Sequence, residues 1–327
     1  MPSKGKKHVA LIGAGYWGKN LLRVFDQLDV LDTICDIDRA LLAERKKAYP
    51  HLSITPQIST ILKNRNITSI AIATPAKTHY AVAKNALKAG KDVFVEKPLA
   101  LNVSEGEELV ALAREKKRVL MVGHVLSYHP AVTALKTLVE KNTIGNIHHI
   151  YSNRLNLGKI RTEENVLWSF APHDISIILD LMGMPFQVRS IGKSYLQEKI
   201  HDTTISFFEF ENGKAAHIFV SWLNPFKEQR LSIIAQKAMV VFNDQAEDKL
   251  IKYNHFLNGS ETVKGIGEAI PIPSEEPLRN EVMHFLHCIR TRNTPKTDGR
   301  EALAVLKVLN ACQESLDQDG KIISISL

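Results

Sequence analysis

A lysine that closes a hydrophobic strand, three glycines that open a helix and a histidine set in an apolar run are the residues of this chain whose types and spacing could do chemistry. Gly13, Gly15 and Gly18 stand as G-x-G-x-x-G between the apolar run Val9 to Ile12 and the helically spaced Leu21, Leu22, Val24, Phe25 and Leu28. In that setting the first glycine makes a tight turn, the second lets the backbone approach a pyrophosphate, and the third allows close packing of helix on strand. The amides at the helix start then face the anion. Asp36 closes a second apolar run, Leu31 to Cys35, about twenty residues on, where a carboxylate accepts hydrogen bonds from a ribose diol. A bare glycine triplet is also found in glycine-rich turns that bind nothing, but strand, helix and acid in register predict a dinucleotide site. An acid at position 36 repels a 2′-phosphate, so NAD is expected ahead of NADP, with Arg39 softening the preference.

Lys97 follows the strand candidate Asp92 to Val95, in Glu96-Lys97-Pro98, at the edge from which open α/β sheets bind ligands. Pro98 holds Lys97 in extended backbone geometry. A lysine half-buried there has its pKa lowered towards neutrality and becomes a usable proton donor or acceptor, whereas a solvated one would do nothing. His173, in Ala171-Pro172-His173-Asp174, is the second candidate for proton transfer, against a reading in which it only hydrogen-bonds a substrate.

The elements that must position these residues change character along the chain. Strand candidates alternate with helices up to Val119–Val122: Arg39–Tyr49, His79–Ala89 and Ser104–Arg114 read as helices, the last with Ser104 as N-cap and Glu107 completing a capping box. That alternation predicts a parallel doubly wound sheet over residues 1–124. After a helix at Pro130–Lys141, runs beginning at Ile147, Phe186, Thr203, Ala215, Leu231 and Met239 read as strands with short turns, and Glu211-Asn212-Gly213-Lys214 as a hairpin turn. Residues 125–327 are therefore expected to form one α+β domain with a large, mostly antiparallel sheet. Lys249 to Glu276 reads as a loop with at most one strand, followed by helices at Asn280–Thr291 and Arg300–Leu316 and a short strand at Ile322–Ile325.

Composition narrows the classes. The 327 residues are 24% charged and 44% hydrophobic, an ordinary globular balance that speaks against disorder and a membrane span. The basic start, Lys4, Lys6 and Lys7, precedes an apolar run too short for a signal peptide, so a cytoplasmic location is expected. Cys35, Cys288 and Cys312 are widely spaced in apolar patterns and read as buried thiols, not as a metal or redox motif; no metal site is expected, and His148-His149 lacks a nearby carboxylate or cysteine. The net charge of +7 comes from scattered lysines and arginines, which argues against nucleic acid and leaves phosphorylated small molecules as users of the excess.

The turn Gly13-Ala14-Gly15-Tyr16-Trp17-Gly18, the run Ala73 to His79, Val93 to Ala100 with its Glu96-Lys97-Pro98, and the helix Glu276 to Arg290 followed by T-P-K-T-D-G together resemble the Gfo/Idh/MocA family of NAD(P)-dependent sugar and inositol oxidoreductases. The likeness spans nearly the whole chain. Within the family, Ser152 to Arg161 and Leu167 to Ser176 look like a clade of nucleotide-sugar dehydrogenases that oxidise C3 of UDP-N-acetylglucosamine or its uronate before transamination, for cell-surface glycan or lipid A precursors.

The resemblance implies an N-terminal Rossmann domain, a ketone-forming oxidation of a sugar hydroxyl, and Lys97 beside the nicotinamide and the reacting carbon. It implies a cofactor side built from Tyr16, Trp17, Thr74, Pro75, His79 and Glu96. It also makes His173 the general base, with the carboxylates usual four residues before and three after replaced by Ser169 and Ser176. Asp174 is adjacent to His173 but on another helix face. Arg154, Asn156, Lys159 and Arg161 suit a diphosphate and sugar hydroxyls, or else form a charged surface loop. Trp168 would stack on a sugar or nucleobase or serve as an anchor, and Tyr128 lies just past the domain junction. A free sugar or inositol as substrate, and a non-catalytic dinucleotide-binding regulator, are the competing readings. Alternation in Thr203–Phe210 and Ala215–Trp222 predicts a homodimer or homotetramer.

Overall fold

The computed structural model describes residues 7–157, 160–258 and 261–325, so the expectations placed on Lys4, Lys6 and Lys159 lie outside the described residues. The chain divides into two compact units, one of residues up to Val125 with Glu276–Leu306, the other of Leu126–Glu275 with the remainder from Lys307.

The first unit is built by apolar strands buried on both faces and helices that cover them. In chain order these are β1 (Val9–Ile12), α1 (Gly18–Gln27), β2 (Leu31–Cys35), α2 (Arg39–Ala48), β3 (Ser53–Thr55), α3 (Ile58–Lys63), β4 (Ser69–Ile72), α4 (His79–Lys88), β5 (Asp92–Glu96), α5 (Val103–Glu115) and β6 (Leu120–Gly123). The six strands are all parallel, in the order β3-β2-β1-β4-β5-β6. The order reverses at β1, between β2 and β4, and such a switch point is where open α/β sheets leave a crevice beyond their strand ends. β1, β4, β5 and β6 are buried along their whole length, which a parallel sheet covered on both faces requires.

The second unit adds α6 (Pro130–Glu140), β7 (Ile147–Leu155), α7 (Val166–Met182), β8 (Gln187–Lys193), β9 (Thr203–Glu209), β10 (Ala215–Ser221), β11 (Glu228–Ala235), β12 (Ala238–Asn243), β13 (Leu250–Asn258) and β14 (Glu261–Ala269). After them come α8 (Pro277–Thr291), α9 (Gly299–Asp317) and β15 (Ile323–Ser324). The nine strands β7 to β15 form one sheet, β14-β13-β12-β11-β7-β10-β9-β8-β15, antiparallel except where β7 meets β10. β9 and β10 are joined at Glu211–Gly213, where Asn212 takes φ 64°, a left-handed conformation that asparagine tolerates. Along β8 to β11 one face is closed, with Phe208, Ile218, Val220 and Ile233 at most 2% exposed.

Three expectations are corrected. Residues 125–327 are not one unit: Glu276–Leu306, which holds α8 and the start of α9, belongs to the first. The physical reason is an aromatic ladder, Phe25 edge-on to Phe94 at 6.4 Å and Phe94 edge-on to Phe285 at 5.7 Å, that ties α1, β5 and α8 together. The cap of α5 is Asn102, whose Oδ1 accepts from the Glu105 amide at 2.9 Å and from the Ser104 hydroxyl at 2.8 Å, so Ser104 lies inside the helix. The stretch after Lys249 holds two paired strands, β13 and β14. β14 is the sheet's edge strand and Gly265–Ala269 are exposed, so no buried face imposes the alternation that would have revealed it.

Candidate active site

In the first unit the glycine turn is shaped by close backbone approach. Gly13 has φ 91°, and a Cβ there would meet the carbonyl carbon of Ala73 at 2.6 Å; a Cβ on Gly18 would meet the Gly13 oxygen at 2.0 Å. Both positions therefore need glycine for the fold itself. Gly15 is different, since a Cβ there would meet nothing within 4 Å. That open backbone, next to the start of α1, is the shape a dinucleotide pyrophosphate requires, and the residues present fit such a group. Asp36, half-buried at the end of β2, accepts from the Ala14 amide at 2.8 Å and from the Asp38 amide at 3.0 Å, which fixes its carboxylate beside the turn. Arg39 is exposed one residue past the cap of α2.

The ends of β4 and β5 are tied to this turn. The Trp17 indole donates to Glu96 Oε1 at 2.5 Å, while Tyr16 is 83% exposed with Lys19 over its ring. Glu96 is buried against Gly123, where a Cβ would come within 2.9 Å of its carboxylate. Burial pushes the Glu96 carboxyl up to about 7, with the Trp17 hydrogen bond, the Lys97 charge and the Lys97 amide pulling it back. Lys97 itself is half-buried at the end of β5, before a cis peptide bond to Pro98.

His79, expected on the cofactor side, is packed into the interior. It is 1% exposed, with Nδ1 2.7 Å from the Pro98 oxygen and Nε2 2.8 Å from the Thr74 oxygen, so it pins the Thr74-Pro75 loop to the Lys97-Pro98 segment. Thr78 ties the same loop to itself through the Thr74 hydroxyl and the Pro75 carbonyl.

In the second unit α7 presents His173 half-buried, one turn from Ser169 and from Ser176, and Ser176 Oγ lies 3.1 Å from Ser127 Oγ. Asp174 turns to the sheet instead. It accepts from Arg154 Nε at 2.6 Å, Arg154 Nη2 at 3.1 Å and Ser152 Oγ at 2.7 Å, all within the buried interior. Arg154 and Asp174, both expected to meet substrate, are engaged with each other here, as a buried charge must be neutralised. Even spacing along β7 hides this, because Arg154 sits on the same closed face as Ile150 and Ser152. Arg161 is exposed and ion-paired to Glu164, and Asn156 follows β7 with its amide bonded to the Ser221 carbonyl. Trp168 is half-buried, its indole donating to Gln313 at 3.0 Å, which makes it an anchor on α9. Tyr128 is 8% exposed.

One residue of chemical interest escaped the sequence. Glu281 on α8 is 0% exposed with both carboxylate oxygens lacking a hydrogen-bond partner, and burial followed by the charge of Glu96 pushes it well above the usual carboxylate range. An acid surrounded by Val282, Phe285 and Leu278 in an apolar helical stripe was the available signal. Among the described residues no group of three or more histidine, cysteine or acidic side chains is placed to hold a metal, and no helix is long and apolar enough to cross a membrane. The three cysteines are free and buried.

Residues 7–124 match the oxidoreductase family model with an NAD-binding Rossmann fold, and residues 132–241 match the GFO/IDH/MocA C-terminal domain. The chain is 27% identical over 302 residues to the UDP-N-acetylglucosamine 3-dehydrogenase of Acidithiobacillus ferrooxidans, covering 90% of this chain and 93% of that one. The solved structure of that enzyme superposes with a TM-score of 0.84, covering 95% of this chain and 98% of the other. A levoglucosan dehydrogenase solved with NADH and levoglucosan superposes with a TM-score of 0.87 at 20% identity, over 98% and 99% of the two chains. The scyllo-inositol 2-dehydrogenase (NADP(+)) of Bacillus subtilis is 26% identical over 63% of this chain and 60% of its own.

Proposed function

Because this chain belongs to the Gfo/Idh/MocA family of NAD-binding oxidoreductases, we propose that it oxidises C3 of a UDP-N-acetyl-hexosamine-type nucleotide sugar to a ketone. The general activity, dehydrogenation of a CH–OH donor, is that of the family. The substrate is our reading, supported by a relative of that name matching along nine-tenths of the chain. One observation carries the chemistry: Lys97, a proton-transfer side chain, ends the strand whose Glu96 is hydrogen-bonded to Trp17 of the dinucleotide turn.

In the proposed reaction a secondary alcohol and NAD+ give a ketone, NADH and a proton. Gly13 to Gly18 and Asp36 hold the dinucleotide, which when bound supplies the nicotinamide carbon that accepts the hydride. The hydroxyl proton passes to Lys97 or His173, and Lys97, when cationic, stabilises the oxygen as its negative charge develops. Ser169 and Ser176 stand where the resemblance places carboxylates around His173, and we assign Lys97 the larger share of proton transfer. The test is absorbance at 340 nm with NAD+ and UDP-N-acetylglucosamine, its uronate, free hexoses and inositols in turn. Reduction with the nucleotide sugar alone supports the reading. Reduction only with a free sugar or inositol transfers it to the second reading, which the engagement of Arg154 by Asp174 favours because one fewer guanidinium remains for a diphosphate. No turnover with any of them, and unchanged NAD+ binding by Lys97→Ala, points to a regulator.

Two further expectations follow. Asp36 beside the turn disfavours a 2′-phosphate, so kcat/KM is higher with NAD+ than NADP+. Asp36→Asn keeps an acceptor for the Ala14 amide while removing the charge, and narrows that preference by about fivefold, the effect of a repulsion of roughly 1 kcal/mol. Steady-state kinetics with both cofactors measure it.

We also propose a homo-oligomer formed through the open face of the nine-stranded sheet. There Ile191, Ile205 and Phe207 are 50%, 53% and 40% exposed, around Phe219 and the stacked His217 and Tyr151 rings. A contiguous apolar patch of this kind marks an interface. Phe207→Glu shifts the mass seen by light scattering to the monomer; an unchanged mass would remove this face from consideration.

A further inference from the structure

The excess positive charge, scattered in sequence, is partly gathered by the fold. A hollow of about 740 Å³ in the first unit is lined by the last turns of α5, the turn into β6, the loop after α8 and the start of α9. It includes Val119 and Leu120, at the amino end of β6, and so lies at the sheet edge opposite the glycine turn, which sits beyond the carboxyl ends of the parallel strands. Five cations line it: Arg114, Lys117, Arg118, Arg292 and Arg300. Two acids, Glu107 and Asp298, accompany them, and Asp298 Oδ1 is already accepting from the Arg300 and Glu301 amides at 2.9 Å as the cap of α9. Arg292 is satisfied by Asp92, at 2.8 Å from both of its oxygens.

The other four are not compensated. Among the described residues no carboxylate lies within ion-pair distance of Arg114, Lys117, Arg118 or Arg300, and the buried Nε of Arg118 has no hydrogen-bond partner. The Arg118 charge, second to burial, also holds the nearby Lys91 ammonium below its usual range, as expected in an uncompensated positive field. Four like charges converging on one concavity repel one another, and guanidinium groups grip phosphate oxygens in pairs. The hollow has the size of a small-ligand site and its cations come from three segments, whereas a nucleic-acid surface would present them along a stripe.

We propose that this hollow binds a small molecule carrying two or more linked phosphates, at a site separate from the dinucleotide site. The ligand bridges Arg118 and Arg300, with Arg114 and Lys117 adding charge from the rim.

Calorimetric titration of the full chain with pyrophosphate, in the presence of saturating NADH, tests this. The expected result is one saturable site per chain, about tenfold or more tighter than for orthophosphate, that Arg118→Ala with Arg300→Ala weakens by about tenfold or more. NADH affinity and the thermal midpoint of that variant stay as in the parent, and the exposed Lys117→Gln gives a smaller loss in the same direction should the double variant fold poorly. Pyrophosphate binding that disappears under saturating NADH, equal affinity for orthophosphate, or binding indifferent to all of these substitutions would overturn the proposal. So would DNA duplex binding that depends on the same residues without a saturable pyrophosphate site. Because NADH binding is read separately, failure here leaves the oxidoreductase reading standing.

Discussion

Lys97→Ala is expected to remove turnover by about 10³-fold or more while NADH binds within about twofold of the parent, because in the proposed reaction the lysine serves proton transfer and charge stabilisation and is no part of the pyrophosphate cradle. The cradle consists of the open backbone at Gly15, the turn at Gly13 and Gly18, and Asp36, whereas Lys97 follows β5. Lys97→Arg separates the two roles: it keeps a positive charge for the developing oxyanion but cannot lose a proton near neutrality, so it recovers only part of the rate. Single-turnover absorbance at 340 nm, with fluorescence titration of NADH alongside, measures both quantities. A Lys97→Ala enzyme that turns over at even a tenth of the parental rate would assign the proton to another group, with His173 the first to examine.

The second large effect is on stability, and it is driven by pH. Glu96 and Glu281 are both buried in the first unit, from neighbouring rungs of one layer: Phe94 and Glu96 share a face of β5, and Glu281 and Phe285 lie one helical turn apart on α8, with the two phenylalanines in contact. The surrounding charged groups are Lys97 and the His124–Glu301 pair near Glu96, His284 one turn along α8, and the Arg23–Glu276 ion pair at its start. Burial raises Glu96 from 4.5 to about 7 and raises Glu281 further.

A carboxyl whose folded pKa exceeds its unfolded one holds its proton better in the folded state. The unfolded state is therefore favoured increasingly as pH rises from the unfolded value towards the folded one. For Glu96 that window is 4.5 to about 7, and the loss across it is about 3 kcal/mol. Glu281 extends the loss to higher pH. Glu281→Gln, neutral at every pH, is expected to be more stable than the parent by about 1–3 kcal/mol at pH 8 and little changed at pH 5. Urea unfolding at the two pH values measures this difference directly. Parallel pH dependence in parent and variant would mean that Glu281 is not titrating within the folded unit.

The proposed site was legible where its signal was local. Gly13, Gly18 and Asp36 act through neighbours in the same turn or at the end of the next strand, and the capped, periodic helices and alternating strands of both units follow from patterns a few residues long. β14 was not legible, since it is the edge strand and its exposed residues Gly265–Ala269 have no buried face to set a period. β3 and α3, three and six residues long, fall below the length at which a period can be recognised.

The sequence alone determined a dinucleotide turn, a lysine at the end of a parallel strand, and the division into an alternating and a mostly antiparallel part. Only the tertiary structure decided which charged groups remain available. It turned Arg154 and Asp174 on each other, made His79 a strut between two loops, brought Glu281 into the field of Glu96 across 185 positions, and gathered Arg114, Lys117, Arg118 and Arg300 around one hollow. The reason is that backbone pattern is set by neighbours in sequence, whereas the partner of a charged side chain is set by packing between segments far apart in it.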